Sequence, residues 1–343
     1  MANVKLENDL KHILNHTQPV WQEIAGKTIL LTGGTGFFGK WLLESFLYAN
    51  ETLSLNARML VLSRDPALFL SAFPAFSVPA ITFIKGDIRN FSYPDGEIDY
   101  IIHTATEVSI PLNNEQPLHM FDTIAEGTRH VLELARIKKV KAVLHTSSGA
   151  VYGKQPSDLH DIKEDFIGGQ DIYERGAAYG EGKRVAEMLA KIYSDSYGVT
   201  SKIARCFAFV GPYLPLDTHF AIGNFILNIL NDEKIIIKGD GTPYRSYLYA
   251  ADLAIWLWHI LVFGEDCRPY NVGSDVALTI EDLAHMVASL GANAKDKVEI
   301  LTPKTGRPAA RYIPGINRAG EELNLKVNID LKEAIRKTIE FYA

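Results

Sequence analysis

A short β-rich run, Lys27 to Thr32 (KTILLT), passes directly into the cluster Gly33-Gly34-Thr35-Gly36-Phe37-Phe38-Gly39, and a helix-forming run follows from Lys40 to Ala49. Strand, glycine cluster and helix in immediate succession leave few folds open. Gly33, Gly36 and Gly39 have the spacing G-x-x-G-x-x-G. In such a turn one glycine permits the tight bend, one lets backbone approach a pyrophosphate, and one lets the helix pack closely on the strand. The helix N-terminus then offers N–H groups and a positive dipole end to phosphates. The turn predicts a dinucleotide site at the first strand of a parallel sheet, with Gly33, Thr35, Gly36, Phe37, Phe38 and Gly39 at the cofactor.

The alternation continues down the chain. Strands are expected at Met59–Leu62, Ile81–Ile84, Tyr100–His103, Ala142–Thr146 and Lys202–Phe207, with helices over Leu118–Ile137 and Tyr179–Ser196 between successive strands. Regular alternation implies an α/β fold, a Rossmann-type doubly wound parallel sheet covered on both faces. After Gly211 the texture changes. Helices are expected at Phe220–Leu230, Asp252–Phe263 and Leu331–Tyr342, a strand at Ile235–Ile237, and a helix capped by Thr279 with Asp282 at the reciprocal position. The expected organisation is a helical extension over residues 1–25, a dinucleotide-binding domain over 26–210 with return segments near 244–275, and a smaller, interleaved C-terminal substrate lobe over 211–343.

Composition narrows the partners. Lys plus Arg is 35 against 41 Asp plus Glu, a net charge of −6, which does not favour nucleic acid or an anionic membrane. Local groups must therefore meet any anionic ligand. Two cysteines, Cys206 and Cys267, give neither a disulfide framework nor zinc spacing, so no metal is expected and both are read as free thiols in apolar surroundings. The first ten residues lack the apolar core of a signal peptide, and the longest apolar stretch is too short to span a bilayer. A cytoplasmic protein without a membrane partner is expected.

Two strand tips bear on which dinucleotide binds. The second strand ends Ser63-Arg64-Asp65. An acidic tip accepts hydrogen bonds from the adenosine ribose, whereas Arg suits a 2′-phosphate. Ser63 and Arg64 favour NADP over NAD, and the competing reading gives the ribose to Asp65. Asp87-Ile88 follows the third strand, where an adenine edge would lie, although Asp87 equally suits a turn cap.

Tyr179 and Lys183 form the only Tyr-x-x-x-Lys pair in the sequence, and they open a helix. Residues four apart share a helix face. A neighbouring ammonium favours a phenolate, so Lys183 is expected to lower the pKa of Tyr179 and make it a usable base. The fifth strand ends in Thr146-Ser147-Ser148. A hydroxyl at the carboxyl end of such a strand points into the ligand crevice, which gives Ser148 to the substrate oxygen beside Tyr179.

Together these segments resemble the extended short-chain dehydrogenase/reductases of the NAD-dependent epimerase/dehydratase family. The likeness runs from about Lys27 to Tyr342 and includes Ser147-Ser148-Gly149-Ala150-Val151-Tyr152-Gly153, Gly211-Pro212 and Asn271-Val272-Gly273. It implies catalytic roles for Ser148, Tyr179 and Lys183 and cofactor contacts at Thr104, Ala105 and Thr106. It also implies substrate contacts at Glu107, Ser148, Asn224, Phe225, Arg245 and Arg307, with Asn224 and Phe225 in the segment at the nucleotide base, Arg245 on the pyrophosphate and Arg307 closing over the nucleotide. The chain departs from the family pattern as well. Gly149 and Ala150 stand where dehydratases carry the Asp and Glu that remove water, so dehydration would need Glu107 or Glu181 instead. Ile124, Ala208 and Phe209 stand in regions where the family often has Asn.

The reading that follows is NAD(P)-dependent hydride chemistry at C4 of a nucleotide-diphosphate sugar, of epimerase type. Alternatives are an NADPH-dependent reductase of 4-keto sugars and a dehydratase or decarboxylase with non-standard acid/base groups. A dehydrogenase of small alcohols or lipids, and a non-catalytic NADP sensor that keeps the fold, are further alternatives. A homodimer is compatible with all of them.

Overall fold

The computed structural model describes residues 4–106, 110–218, 220–291, 297–304 and 306–343. Its first half alternates as the sequence suggests. Helices α1 (Glu7–His16) and α2 (Gln18–Ile24) precede β1 (Thr28–Thr32), which runs into α3 (Phe37–Thr52). Next come β2 (Arg58–Ser63), α4 (Pro66–Ala72), β3 (Ile81–Lys85), β4 (Tyr100–His103), α5 (Ile110–Glu115) and α6 (Pro117–Lys138). The half closes with β5 (Ala142–Ser148), α7 (Ala177–Tyr197) and β6 (Ser201–Cys206).

The second half returns to the same sheet. It contains β7 (Phe209–Val210), α8 (Ala221–Leu230), β8 (Ile235–Ile237), β9 (Tyr244–Arg245), β10 (Leu248–Tyr249), α9 (Ala250–Phe263) and β11 (Pro269–Val272). Then follow β12 (Leu278–Thr279), α10 (Ile280–Ala288), β13 (Val298–Ile300), β14 (Arg311–Tyr312), α11 (Asn317–Leu323) and α12 (Leu331–Tyr342). The main sheet has seven strands in the order β11-β6-β5-β4-β1-β2-β3, and every neighbouring pair in it is parallel. The strand order reverses between β1 and β4, so a crevice opens at their carboxyl ends.

Both faces of the sheet are buried along its central strands, which is why β1 and β4 read as apolar runs, whereas in the edge strand β3 only Ile81 is buried. Successive side chains on a strand point to opposite faces. Ile29 and Leu31 enter the larger core with Trp41, Phe46 and the α9 residues Trp256 and Trp258. Leu30, Ile101 and Val143 enter the other core with Val131, Leu132 and Leu134 of α6. Helix α9 is apolar all round and packs against α1, α2 and α3 on one side and β5, β6 and β11 on the other. The N-terminal helices thus belong to the larger core. Trp21 lies tilted against Trp258 at 4.9 Å.

Small sheets, β12-β9-β14 and β8-β13, build the region beyond the crevice. The capping box expected at α10 is present, with Thr279 and Asp282 bonded reciprocally. One expectation fails: Cys206 is buried, but Cys267 is only partly buried and lies beside the polar groups Ser194 and Asp266. A positive φ at Cys267 places it in a surface turn, where apolar cover is not at hand.

Candidate active site

The glycine turn divides its labour as the spacing suggests. Gly33 has φ +73°, and a Cβ there would stand 2.6 Å from the Thr104 hydroxyl oxygen and 2.7 Å from the Thr104 backbone. A Cβ on Gly39 would stand 2.3 Å from Gly34 Cα, so α3 packs directly on the turn. Gly36 differs: its Cβ would meet only the Gly33 carbonyl, at 3.4 Å. Gly36 is also the N-cap of α3, and no side chain caps that helix end. An exposed glycine at an uncapped helix N-terminus fits a pyrophosphate. Phe37 and Phe38 open the helix, and Phe38 sets its edge on Phe209 at 5.0 Å. Thr35 beside them is half-buried.

Thr32 locks β4 to β1 behind the turn. Its backbone oxygen accepts from the Thr104 hydroxyl at 2.7 Å, and its own hydroxyl accepts from the Ala105 N–H at 3.3 Å. Thr104, Ala105 and Thr106 are thereby held at the mouth of the crevice. Glu107 lies outside the described residues.

At the adjoining strand tips, Asp65 caps α4, accepting from the Leu68 N–H at 3.0 Å. The Ser63 hydroxyl accepts from the Asp65 N–H at 3.2 Å. Asp87 caps its own turn by accepting from the Arg89 N–H at 2.9 Å, and it also takes the Arg89 guanidinium. That guanidinium, with help from Arg64, holds the Asp87 carboxyl down at about 2. Arg64 is exposed, and Ile88 is buried against Gly127.

Ser148, Tyr179 and Lys183 converge at the carboxyl end of β5. Lys183 is buried and donates to the Thr146 backbone oxygen at 2.7 Å and the Thr106 hydroxyl at 2.8 Å. Its Nζ sits 5.9 Å from the Tyr179 ring centroid. Burial pulls the ammonium down to about 8. For Tyr179 the sequence-based expectation is reversed. Burial pushes the phenol up to about 12, and the group that pulls it back is the Ser148 hydroxyl. Desolvation disfavours the charged form, and here it outweighs the help from the serine hydroxyl. Cys206, next to Lys183, is likewise pushed up to about 12 by burial and stays a thiol. Beneath the lysine lie two neutral imidazoles. His103 is bonded to Thr32 at 2.8 Å and Thr128 at 3.1 Å. His145 is driven down to about 3 by burial, with Lys183 adding to it, and its ring nitrogens have no partner among the described residues.

Groups that the sequence reading missed complete the cluster. Asn113 of α5 bonds the start of α7. Glu187, one turn beyond Lys183, accepts from the Ser147 hydroxyl at 2.5 Å and from Arg205 at 2.7 Å. The Tyr312 hydroxyl of β14 lies beside Gly149, where a Cβ would stand 2.6 Å from it. The vacancy that Gly149 leaves beside Ser148 was the available signal for Tyr312.

Of the remaining candidates, Arg245 lies opposite Tyr312 in the β9–β14 pairing, and its charge lowers the pKa of that phenol. Asn224 is half-buried, while Phe225 is sequestered in the larger core. Arg307 is exposed outside this cluster. Among the described residues there is no metal-ligand group and no helix long and apolar enough to cross a membrane.

Comparison with known proteins places this arrangement. UDP-glucuronic acid decarboxylase 6 of Arabidopsis thaliana is 30% identical over 311 residues, spanning 90% of this chain and 86% of that protein. UDP-glucuronic acid decarboxylase 1 of Danio rerio is 29% identical over 318 residues, 92% of this chain and 73% of the other. Two solved structures share the fold. A UDP-N-acetylglucosamine 4-epimerase from Methanobrevibacter ruminantium M1 superposes with a TM-score of 0.78 at 22% identity, covering 92% of this chain and 98% of its own. A dTDP-glucose 4,6-dehydratase from Streptomyces venezuelae, with NAD bound, gives 0.77 at 22% identity, covering 92% and 96%. The family model described as NAD dependent epimerase/dehydratase matches residues 29–273. The chain belongs to the NAD dependent epimerase/dehydratase family.

Proposed function

We propose that this protein oxidises the 4-hydroxyl of a nucleotide-diphosphate sugar and returns hydride to the opposite face of the ketone, an epimerase-type cycle. The observation that carries the reading is the convergence of Ser148, Tyr179 and Lys183 beside the glycine turn. Tyr179 removes the hydroxyl proton as hydride leaves C4, and Ser148 hydrogen-bonds the same oxygen. Lys183, tied to Thr106 and Thr146, keeps a positive charge near the phenol. When bound, the dinucleotide supplies the hydride acceptor and, in its oxidised form, a positive charge that favours the phenolate. Gly33, Gly36, Gly39 and the start of α3 would hold its pyrophosphate. Arg245 and Asn224 would meet the nucleotide diphosphate of the substrate. NADP is favoured over NAD, because Asp65 is engaged as a helix cap and leaves Ser63 and Arg64 at the ribose.

A second reading is favoured by the names of the curated relatives. Oxidation at C4 makes a carboxylate on C5 a β-keto acid, which loses carbon dioxide and is reprotonated at C5 before hydride returns. This needs no carboxylate at positions 149 and 150. Dehydration does need an acid and a base, and Gly149 and Ala150 argue against it.

The test is incubation with UDP-glucose, UDP-galactose and UDP-glucuronic acid plus either dinucleotide, with products separated by chromatography and weighed by mass spectrometry. An isomer of unchanged mass supports the epimerase. Loss of carbon dioxide selects the second reading. The variant Tyr179→Phe is expected to bind dinucleotide normally and to lose about 10²–10⁴-fold in turnover. Unaltered turnover in that variant overturns the assignment.

A further inference from the structure

Helix α7 carries Tyr179, Lys183 and Glu187 at intervals of four residues, so all three lie along one face. Two of them are tied to the end of β5 by consecutive residues. Lys183 donates to the Thr146 backbone oxygen at 2.7 Å, and Glu187 accepts from the Ser147 hydroxyl at 2.5 Å. Arg205 stands opposite Ser147 in the β5–β6 pairing. Its guanidinium takes both oxygens of Glu187, Nε to Oε1 at 3.0 Å and Nη2 to Oε2 at 2.7 Å. A fork on a carboxylate fixes orientation as well as distance. The fork is itself held, because Nη1 donates to the Tyr152 hydroxyl at 2.9 Å and to the Glu164 backbone oxygen at 3.1 Å. The side chains of Arg205 and Glu187 are each 14% exposed.

We propose that Glu187 is a positioning residue for Lys183: held by Ser147 and Arg205, it fixes α7 against the tip of β5 and gives the lysine an anionic neighbour, so that a charged Nζ stands beside Tyr179. The inference rests on the reading of Tyr179 and Lys183 as the proton-handling pair at C4. A surface ion pair would do neither job, because solvent and salt screen it and its side chains stay free to move. Lys183 is buried at a cost to its charge, and the groups that face it decide whether the charge survives. Among the described residues these are the Cys206 thiol of β6, the neutral imidazoles of His103 on β4 and His145 on β5, and Tyr179 and Glu187 on its own helix. Helix α6 brings the apolar Met120 and Ile124 to Tyr179 and Ala186. Arg205 of β6 joins the set through Glu187. Glu187 is the carboxylate in that set, and it works against the burial that pulls Lys183 down.

Glu187→Gln keeps the shape and an oxygen for Ser147 but removes the charge. The ammonium then loses its support, and the Arg205 charge is left uncompensated. The alkaline limb of the kcat–pH profile should move about one pH unit lower, the scale on which a neighbouring charge acts, so that kcat beyond the limb falls about tenfold. KM for the nucleotide sugar should stay unchanged. A merely structural role would lower the melting temperature and leave the profile in place, and that result overturns the proposal. Glu187→Gln also leaves Arg205 buried without its anion, which can unfold the chain. Ser147→Ala keeps the ion pair and removes only the tether to β5. It should lower kcat severalfold at unchanged KM, and Ser147→Thr, which restores a hydroxyl, should recover it. If Glu187→Gln does not fold, parental kcat in Ser147→Ala overturns the proposal. Lys183→Met is measured in parallel. If it retains turnover, the reading of the site has failed; if it is inactive while the Glu187 and Ser147 variants match the parent, only the role of Glu187 has failed.

Discussion

The Tyr179 N–H donates to Oδ1 of Asn113 at 3.1 Å, across 66 residues of chain. Helix α7 has no N-cap side chain of its own, because its N-cap is Gly176 in the left-handed region. Asn113 supplies the cap from another helix and also donates to the Gly176 oxygen at 2.6 Å. The phenol is thereby fixed by its own backbone. Asn113→Ala should lower stability by about 1 kcal/mol, the usual worth of a cap. It should also reduce kcat severalfold while dinucleotide affinity is kept. Urea melts and steady-state rates check both; a variant with parental kcat refutes the link to Tyr179.

Lys183 makes stability depend on pH. Its folded pKa of about 8 lies below the ordinary lysine value of 10.5. Below pH 8 both folded and unfolded chains carry the proton, and the folded chain bears the full cost of burying the charge. Between about 8 and 10.5 only the unfolded chain keeps it, so this residue's contribution to stability improves as pH rises. The comparison is parent against Lys183→Met in denaturant melts at pH 7 and pH 9.5. The parent should gain relative to the variant at the higher pH, and a constant difference rules out the lowered pKa. The variant should also lose turnover by orders of magnitude, because Tyr179 loses its neighbouring charge.

At the tip of β2, Arg64 and Asp65 make separable predictions. Arg64→Ala should weaken NADP binding by about tenfold or more and leave NAD binding unchanged, since only the 2′-phosphate calls for a guanidinium. Asp65→Ala should cost about 1 kcal/mol through the lost cap on α4 and leave the NADP-to-NAD ratio alone. Equilibrium titration with each dinucleotide decides. Equal losses for the two cofactors in Arg64→Ala remove the basis for preferring NADP.

Much of the site was legible because its groups are local in sequence. Gly33, Gly36 and Gly39 act within one turn, and Tyr179 with Lys183 within one turn of helix. Strands β1, β2 and β4 were readable because both faces are largely buried, which writes each as an apolar run. The groups that were not read reach the site across the fold. Asn113 meets Tyr179 only because α5 packs against α7. Tyr312 comes beside Gly149 only because β14, a strand of two residues, pairs with β9, and two residues show no periodicity. The role of Asp65 did have a local sign, since Asp followed by Pro66 is a common helix start. The pKa of Tyr179 was misjudged because spacing reports a neighbour and says nothing of burial.

The clasp around α9 has a consequence for biogenesis. Asp9 of α1 accepts from the Tyr249 hydroxyl at 2.7 Å, 240 residues later, and from Lys337 of α12 at 2.9 Å. Helices α1 and α2 are translated before α9, when the surface that will cover Trp21 does not yet exist. It emerges from the ribosome only when α9 has been made. Until then the early helices present Leu10, Ile13 and Trp21 to whatever is at hand. Such a chain completes its core after most of it has been synthesised, and nascent material stalled before α9 is a natural client for a holding chaperone.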